Sequence, residues 1–308
     1  MNMKNPNTAY HIPALLEESV DLLKIQPNGT YVDATFGGGG HSRAILERLG
    51  AHGRLFSFDR DLDALANSPE DPRFIFVHGD FRYIKNWLMF YKVEKVNGIL
   101  ADLGVSFHHF DIPERGFSFR TEAPLDMRMN QQGDKTARAI IKNLDEAQLA
   151  NLFRKHTDIP NSHAIAKAIC IAKRDKDIDT TVQLTEIVSP LLNKKAYKKE
   201  LAQVFQALRI ATNDEISSLE KLLESSLSVL KPGGRMVVLT YHSGEDKIVK
   251  NFFKTGSFNE VPDVHRMIYG TKKSPWKILT SSPIMASDEE VNRNPRSRSA
   301  KLRAAELR

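Results

Sequence analysis

Cysteine is nearly absent from this chain of 308 residues, with Cys170 as the only thiol. One cysteine forms no internal disulfide and builds no multi-cysteine zinc site. No H-E-x-x-H or C-x-x-C spacing occurs, so no metal is expected. Long apolar runs are missing too: nothing approaches the ~18 residues of a membrane span. The polar start Met1-Asn-Met-Lys-Asn-Pro6 lacks a signal-peptide core. The expectation is a cytoplasmic protein with no membrane partner. Repeats of fixed period and low-complexity segments are also missing, and collagen-like, disulfide-scaffold and intrinsically disordered readings are out.

What is present is ordinary for a globular protein: 41% hydrophobic and 27% charged residues. At about 150 residues per domain the length suggests roughly two domains. Lys and Arg number 44 against 38 Asp and Glu, a net charge of +6. Positive charge gathers in Lys194-Lys195-Ala-Tyr-Lys198-Lys199 and in Arg293-Asn-Pro-Arg-Ser-Arg-Ser-Ala-Lys-Leu-Arg303. Such runs suit a solvated face or a surface that tracks phosphates, and the runs alone do not choose.

Residues 30–102 alternate short β-rich runs with helical stretches, the rhythm of a parallel sheet. The strands read as Thr30–Ala34, Arg54–Asp59, Arg73–His78 and Gly98–Asp102. A helix over His41–Leu49 is expected to close on Gly50 as its C-cap. From about 110 to 215 helical periodicity replaces the strands, with a capping-box spacing at Asp145-Glu-Ala-Gln148. Lys231-Pro-Gly-Gly stops a leucine-rich helix, and Arg235–Tyr241 resumes the strand pattern. Weaker strands are expected near Lys277–Thr280 and Ser299–Leu307. The expected architecture is an α/β domain over 1–109 and 216–308, interrupted by an all-helical domain over 110–215.

The strongest local motif is Asp33-Ala-Thr-Phe-Gly37-Gly38-Gly39-Gly40-His41-Ser42, where a strand ends and a helix begins. Glycines let the backbone approach a ligand closely, and free helix N-terminal amides face it. A dinucleotide fingerprint fails here, because Ser42 or Arg43 stands where the third glycine belongs. Asp59 ends the second strand, placed to hold ribose hydroxyls, which suits NAD and S-adenosylmethionine alike. Asp33 ahead of the glycines looks more like the first motif of S-adenosylmethionine-dependent methyltransferases. His78-Gly-Asp80-Phe81 and Asp102-Leu-Gly104-Val-Ser106 should complete the crevice from the next two strand ends. A nicotinamide dehydrogenase and a non-catalytic RNA-binding module stay open at this level.

Tyr10-His-Ile-Pro-Ala-Leu-Leu-Glu-Glu18, the glycine motif and Asp102–Ser106 open an ordered series. Glu114-Arg-Gly-Phe-Ser-Phe119, Pro124-Leu-Asp-Met-Arg-Met129 and Phe205-Gln-Ala-Leu-Arg-Ile210 continue it. His242-Ser-Gly-Glu-Asp-Lys247 and Asn294-Pro-Arg-Ser-Arg-Ser299 end it. With this set the chain resembles the bacterial ribosomal small-subunit RNA methyltransferase H family, also called MraW. The resemblance implies a class I, Rossmann-like methyltransferase domain with a helical insertion. It also implies S-adenosylmethionine as cofactor and 4-methylcytidine formation at the decoding centre of 16S ribosomal RNA. The implied partner is that RNA or the 30S particle, with a homodimer left open. Cofactor contacts carry over to Gly39, Gly40, His41, Asp59, Phe81 and Asp102. His109 stands where the family has a glutamine, and Gly244 replaces the leucine of H-S-L-E-D.

Aligning a weakly nucleophilic amino nitrogen with a sulfonium methyl is mainly a matter of proximity and orientation. An acceptor for the amino hydrogens helps as the bond forms. Asp102 is the expected acceptor, with Asp126 and the carbonyls near Leu103–Gly104 behind it. Carbon-5 methylation would need a thiol nucleophile, and Cys170 lies in the apolar run Ala168-Ile-Cys-Ile-Ala172. Arg115, Phe117, Phe119, Arg120 and Arg128 interleave guanidinium and aromatic groups as RNA contacts do, though ion pairs and core packing explain each residue equally well.

Overall fold

Apolar pairs of consecutive residues recur at each strand position: Tyr31-Val32, Leu55-Phe56, Ile99-Leu100 and Val237-Val238. In a strand, neighbours point to opposite faces. Each pair therefore feeds two cores, one on either side of a single sheet. The computed structural model describes residues 13–258 and 273–308. Its residues divide into two compact units, 1–104 with 217–308, and 105–216. The boundary set from sequence at 109/110 falls inside the second unit.

In the first unit β1 (Thr30–Asp33), β2 (Arg54–Asp59), β3 (Phe74–His78) and β4 (Val96–Asp102) run parallel. β5 (Leu230–Thr240) continues them beside β4, with Asp102 paired to Leu239. β6 (Trp276–Ile278), β7 (Ile284–Met285) and β8 (Lys301–Leu307) close the sheet antiparallel, all through β8. The order is β3-β2-β1-β4-β5-β8-β6, with β7 also on β8. β7 was not legible in the sequence, because two residues carry no pattern. The order reverses at β1, and in such sheets ligands bind at the carboxyl ends of the strands flanking that point. The protein is an α/β fold with a Rossmann-like, mainly parallel sheet.

The helix after the glycine loop spans Gly40–Arg48 and ends differently from expectation. Leu49 is its C-cap in an extended conformation. Gly50 instead donates its N–H to the Pro27 carbonyl at 2.8 Å. A tertiary hydrogen bond has taken the role assigned to a left-handed glycine.

The second unit is helical, with helices Ala137–Asn143, Glu146–His156, Ser162–Asp175, Thr181–Val188 and Tyr197–Asn213. The capping box of Asp145 and Gln148 forms as read, and a second one joins Thr180 to Gln183. Leu149, Phe153, Ile165, Ile169, Val204 and Leu208 meet in its core, together with Cys170. Among the described residues no helix is long and apolar enough to cross a membrane.

Candidate active site

β1 ends on Asp33, which is fully buried. Its Oδ1 accepts the Thr35 N–H at 3.1 Å and its Oδ2 the Ser42 hydroxyl at 2.7 Å. Ser42 lies 2.7 Å from the Ser57 hydroxyl on β2, so one carboxylate ties strand, loop and helix together. Burial raises the Asp33 carboxyl to about 6, with the Ser42 and Thr35 hydrogen bonds opposing and Asp59 adding to the rise.

The loop that follows turns through positive φ at Gly37 (51°) and Gly39 (77°), where other residues are strained. Asp59, at the end of β2, accepts the Gly37 N–H on Oδ2 and the Asp61 N–H on Oδ1, each at 2.8 Å. Arg43 donates to the Gly38 carbonyl at 2.7 Å and to the Asn67 carbonyl at 2.8 Å, while the Asn67 amide reaches the Gly37 carbonyl. The loop is held before any ligand arrives. At Gly37 and Gly38 a Cβ would meet nothing within 4 Å. The open side of this fixed loop, beside the Asp59 carboxylate, is compatible with the approach of S-adenosylmethionine.

His41 is buried in the first turn of the next helix. Desolvation lowers its imidazole to about 4, against a small opposing effect of the Ala14 backbone. The ring is neutral at physiological pH. Its Nε2 has no hydrogen-bond partner among the described residues, and a buried polar atom left so is costly unless a ligand meets it. Its Nδ1 lies 3.8 Å from Oδ2 of Asp102, too far for a hydrogen bond.

Asp102 ends β4. Its N–H donates to the Thr35 hydroxyl at 2.6 Å, and its Oδ1 accepts the Tyr241 phenol at 2.7 Å. Burial raises its carboxyl to about 7; the Tyr241 hydrogen bond lowers it, and Asp33 and Glu245 raise it further. Glu245 is itself buried and accepts the Tyr241 N–H at 3.0 Å. Asp33, His41, Asp59 and Asp102 are thus brought to neighbouring strand ends of one sheet. Tyr241 and Glu245 were missed in the sequence. The available signal was that Tyr241 directly follows β5, the next strand to end beside β4.

Phe81 opens a short 3-10 turn after β3. It is partly buried, with the Arg60 guanidinium carbon 5.6 Å from its ring centroid. Asp80 holds Arg60 and Arg82 at 3.1 and 2.7 Å. His109 belongs to the helical unit. There its Nδ1 accepts the Ser106 N–H at 3.2 Å and its ring stacks on Phe117, centroids 4.9 Å apart.

The proposed RNA contacts separate sharply. Arg115 is buried and donates to the carbonyls of Arg128 and Met129, both at 3.0 Å. Phe117 is a core residue, and Phe119 packs edge-on against Phe205. Arg128 is paired bidentately with Asp126, which also removes Asp126 as a free acceptor. Of the five, Arg120 alone is exposed. Sequence alternation of Arg and Phe here reports internal packing, because the arginines satisfy turn carbonyls.

The pattern of the MraW methylase family matches residues 8–308. The chain belongs to that family. The ribosomal RNA small subunit methyltransferase H of Phocaeicola vulgatus is 51% identical over 306 residues, covering 99% of this chain and 100% of its own. That of Parabacteroides distasonis is 50% identical over 305 residues, covering 99% of each. A solved rRNA methylase from Streptococcus thermophilus aligns with TM-score 0.40 and 11% identity, over 96% of this chain and 98% of its own. At that distance the fold rests on the strand order itself. The dehydrogenase reading is set aside, and the methyl donor of this methylase is S-adenosylmethionine.

Proposed function

We propose that this methylase transfers a methyl group to the exocyclic 4-amino group of a cytidine in the decoding region of 16S ribosomal RNA, acting on the RNA or the 30S particle. The small-subunit RNA follows from what its relatives are named for. The single observation that carries the chemistry is Asp102. It is a carboxylate at the β4 end, raised to about 7, with one oxygen held by Tyr241.

Bound at the glycine loop, S-adenosylmethionine supplies an electrophilic methyl on its sulfonium. Asp59 holds the ribose hydroxyls, and Gly39, Gly40, His41 and Phe81 are its further contacts in this reading. The neutral His41 ring offers its unpaired Nε2 without adding a charge that would repel the sulfonium. Asp102 accepts an amino hydrogen, shifts electron density onto the nitrogen, and takes the proton as the N–C bond forms. A group titrating near neutrality is suited both to accept that proton and to release it afterwards.

Mass spectrometry of small-subunit ribosomal nucleosides tests this directly. In cells lacking the gene, the 4-amino methyl should vanish from one cytidine, and purified protein with labelled S-adenosylmethionine should restore it. Label on carbon 5, on another base, or on no RNA would refute the reading.

A further inference from the structure

Oδ1 and Oδ2 of Asp102 are not equivalent in this structure. Oδ1 receives the Tyr241 phenol at 2.7 Å, whereas Oδ2 faces the neutral His41 ring at 3.8 Å. Tyr241 is itself fixed at several points. Its N–H is bound to Glu245, which lies in the helix Ser243–Thr255, and the residue before it closes β5. Its ring sits beside Gly104, where a side chain would come within 3.6 Å of it, and Gly104 has φ of 104°. Burial drives the phenol well above its ordinary value, so it stays protonated and can only donate to the carboxylate.

We propose that Tyr241 is a positioning residue for methyl transfer: its phenol fixes Oδ1 of Asp102 and leaves Oδ2 as the oxygen that takes the amino proton. The proposal rests on Asp102 being the acceptor. The step balances: the nitrogen lone pair forms the N–C bond, and the C–S pair stays on sulfur. The N–H pair returns to nitrogen, and the proton goes to Oδ2. A donated hydrogen bond also favours the ionised carboxylate over the acid. Tyr241 thereby counteracts the burial, Asp33 and Glu245, which all favour the acid. The titratable groups around the pair are Asp33 after β1, His41 on Gly40–Arg48, Glu245 on Ser243–Thr255 and Glu290 on Asp288–Arg293. Among these groups it is Tyr241 that donates a hydrogen bond to the Asp102 carboxylate.

The test is single-turnover methyl transfer from pH 5.5 to 9, at saturating labelled cofactor, on small-subunit particles from cells lacking the gene. Four proteins are compared: wild type, Tyr241→Phe, a protein carrying 3-fluorotyrosine at 241, and Asp102→Asn. Tyr241→Phe keeps the ring and its packing; melting temperature and cofactor affinity report whether it folds as the wild type does. Its acid limb should move up by about one pH unit, about a tenfold loss near pH 6, while the alkaline rate returns to within about twofold. The fluorinated ring, a stronger donor, should move the limb down. A Tyr241→Phe profile that overlays the wild type, or a rate lowered equally at every pH, overturns the proposal. If in addition Asp102→Asn keeps the wild-type rate, Asp102 is not the acceptor and the underlying reading falls as well. Loss of turnover in Asp102→Asn with an unchanged Tyr241→Phe profile removes the Tyr241 role alone.

Discussion

Asp59 accepts the backbone amides of Gly37 and Asp61, which sets its carboxylate at the end of β2 beside the glycine loop, the place where such folds meet ribose hydroxyls. The same group keeps the loop in shape. Asp59→Ala should weaken S-adenosylmethionine binding by about 1.5–3 kcal/mol, the scale of hydrogen bonds to a charged group. Calorimetry showing unchanged affinity would remove Asp59 from the cofactor site. Asp102 makes a different prediction, on stability. Its carboxyl is raised from 3.8 to about 7, so the folded state holds the proton more tightly than the unfolded chain. That contribution is full below about pH 4, is lost as pH rises to about 7, and is flat above. Asp102→Asn never carries the half-buried charge. Without ligand it should be more stable than wild type at pH 8, by on the order of 2 kcal/mol, and the gap should close near pH 4. Denaturant unfolding at the two pH values decides, and a pH-independent gap would contradict the account. Asp33, Asp59 and Asp102 were legible because each ends an apolar run. Tyr241 was not, since 139 positions separate it from Asp102 and only the pairing of β4 with β5 joins them.

The glycine loop and its helix show what local signals do and do not convey. Four consecutive glycines announce a close approach of something to the backbone without saying what approaches each one. At Gly40 the approach is made by the chain itself: a Cβ would fall 2.3 Å from Pro13 Cγ and 2.6 Å from its Cδ. A proline ring yields little, so Gly40→Ala should destabilise the fold by about 1–3 kcal/mol through overpacking. At Gly38 a Cβ meets nothing, so Gly38→Ala should leave the melting temperature near wild type. Its methyl would instead occupy free space above the loop and weaken S-adenosylmethionine binding. The pair separates, by thermal unfolding and calorimetry, a glycine whose missing side chain the fold needs from one whose missing side chain leaves room for a ligand. Equal effects of both substitutions on stability would refute the distinction. The capping box at Asp145 was readable because both partners lie within four residues of each other. The end of the Gly40–Arg48 helix was not, because the Pro27 carbonyl that holds Gly50 comes from before β1.

At the scale of the whole molecule, the site residues belong to one unit, while exposed basic runs occur in both. Asp33, His41, Asp59, Asp102 and Tyr241 all belong to the sheet-bearing unit. The helical unit carries Lys194, Lys195, Lys198 and Lys199, all exposed, in the turn before and the first turn of Tyr197–Asn213. Arg115 and Arg128 are engaged internally with carbonyls and Asp126, whereas the four lysines form a dense exposed cluster able to meet phosphates. Each phosphate contact releases condensed counterions, so binding weakens with salt in proportion to the number of contacts. Replacing the four lysines with alanine should therefore weaken small-subunit RNA binding. It should also flatten the slope of log affinity against log salt, by up to about 3 if every lysine meets a phosphate. Exposed lysines support no core, so melting temperature and cofactor affinity should stay at wild-type values. Filter binding across a salt series, with calorimetry on the same protein, measures both quantities. An unchanged slope would assign the RNA footprint to other cations, beginning with Arg120 and the exposed Arg293, Arg296 and Arg298 of the C-terminal run. A fall in cofactor affinity alongside the flattened slope would show that the two bindings are coupled rather than separate.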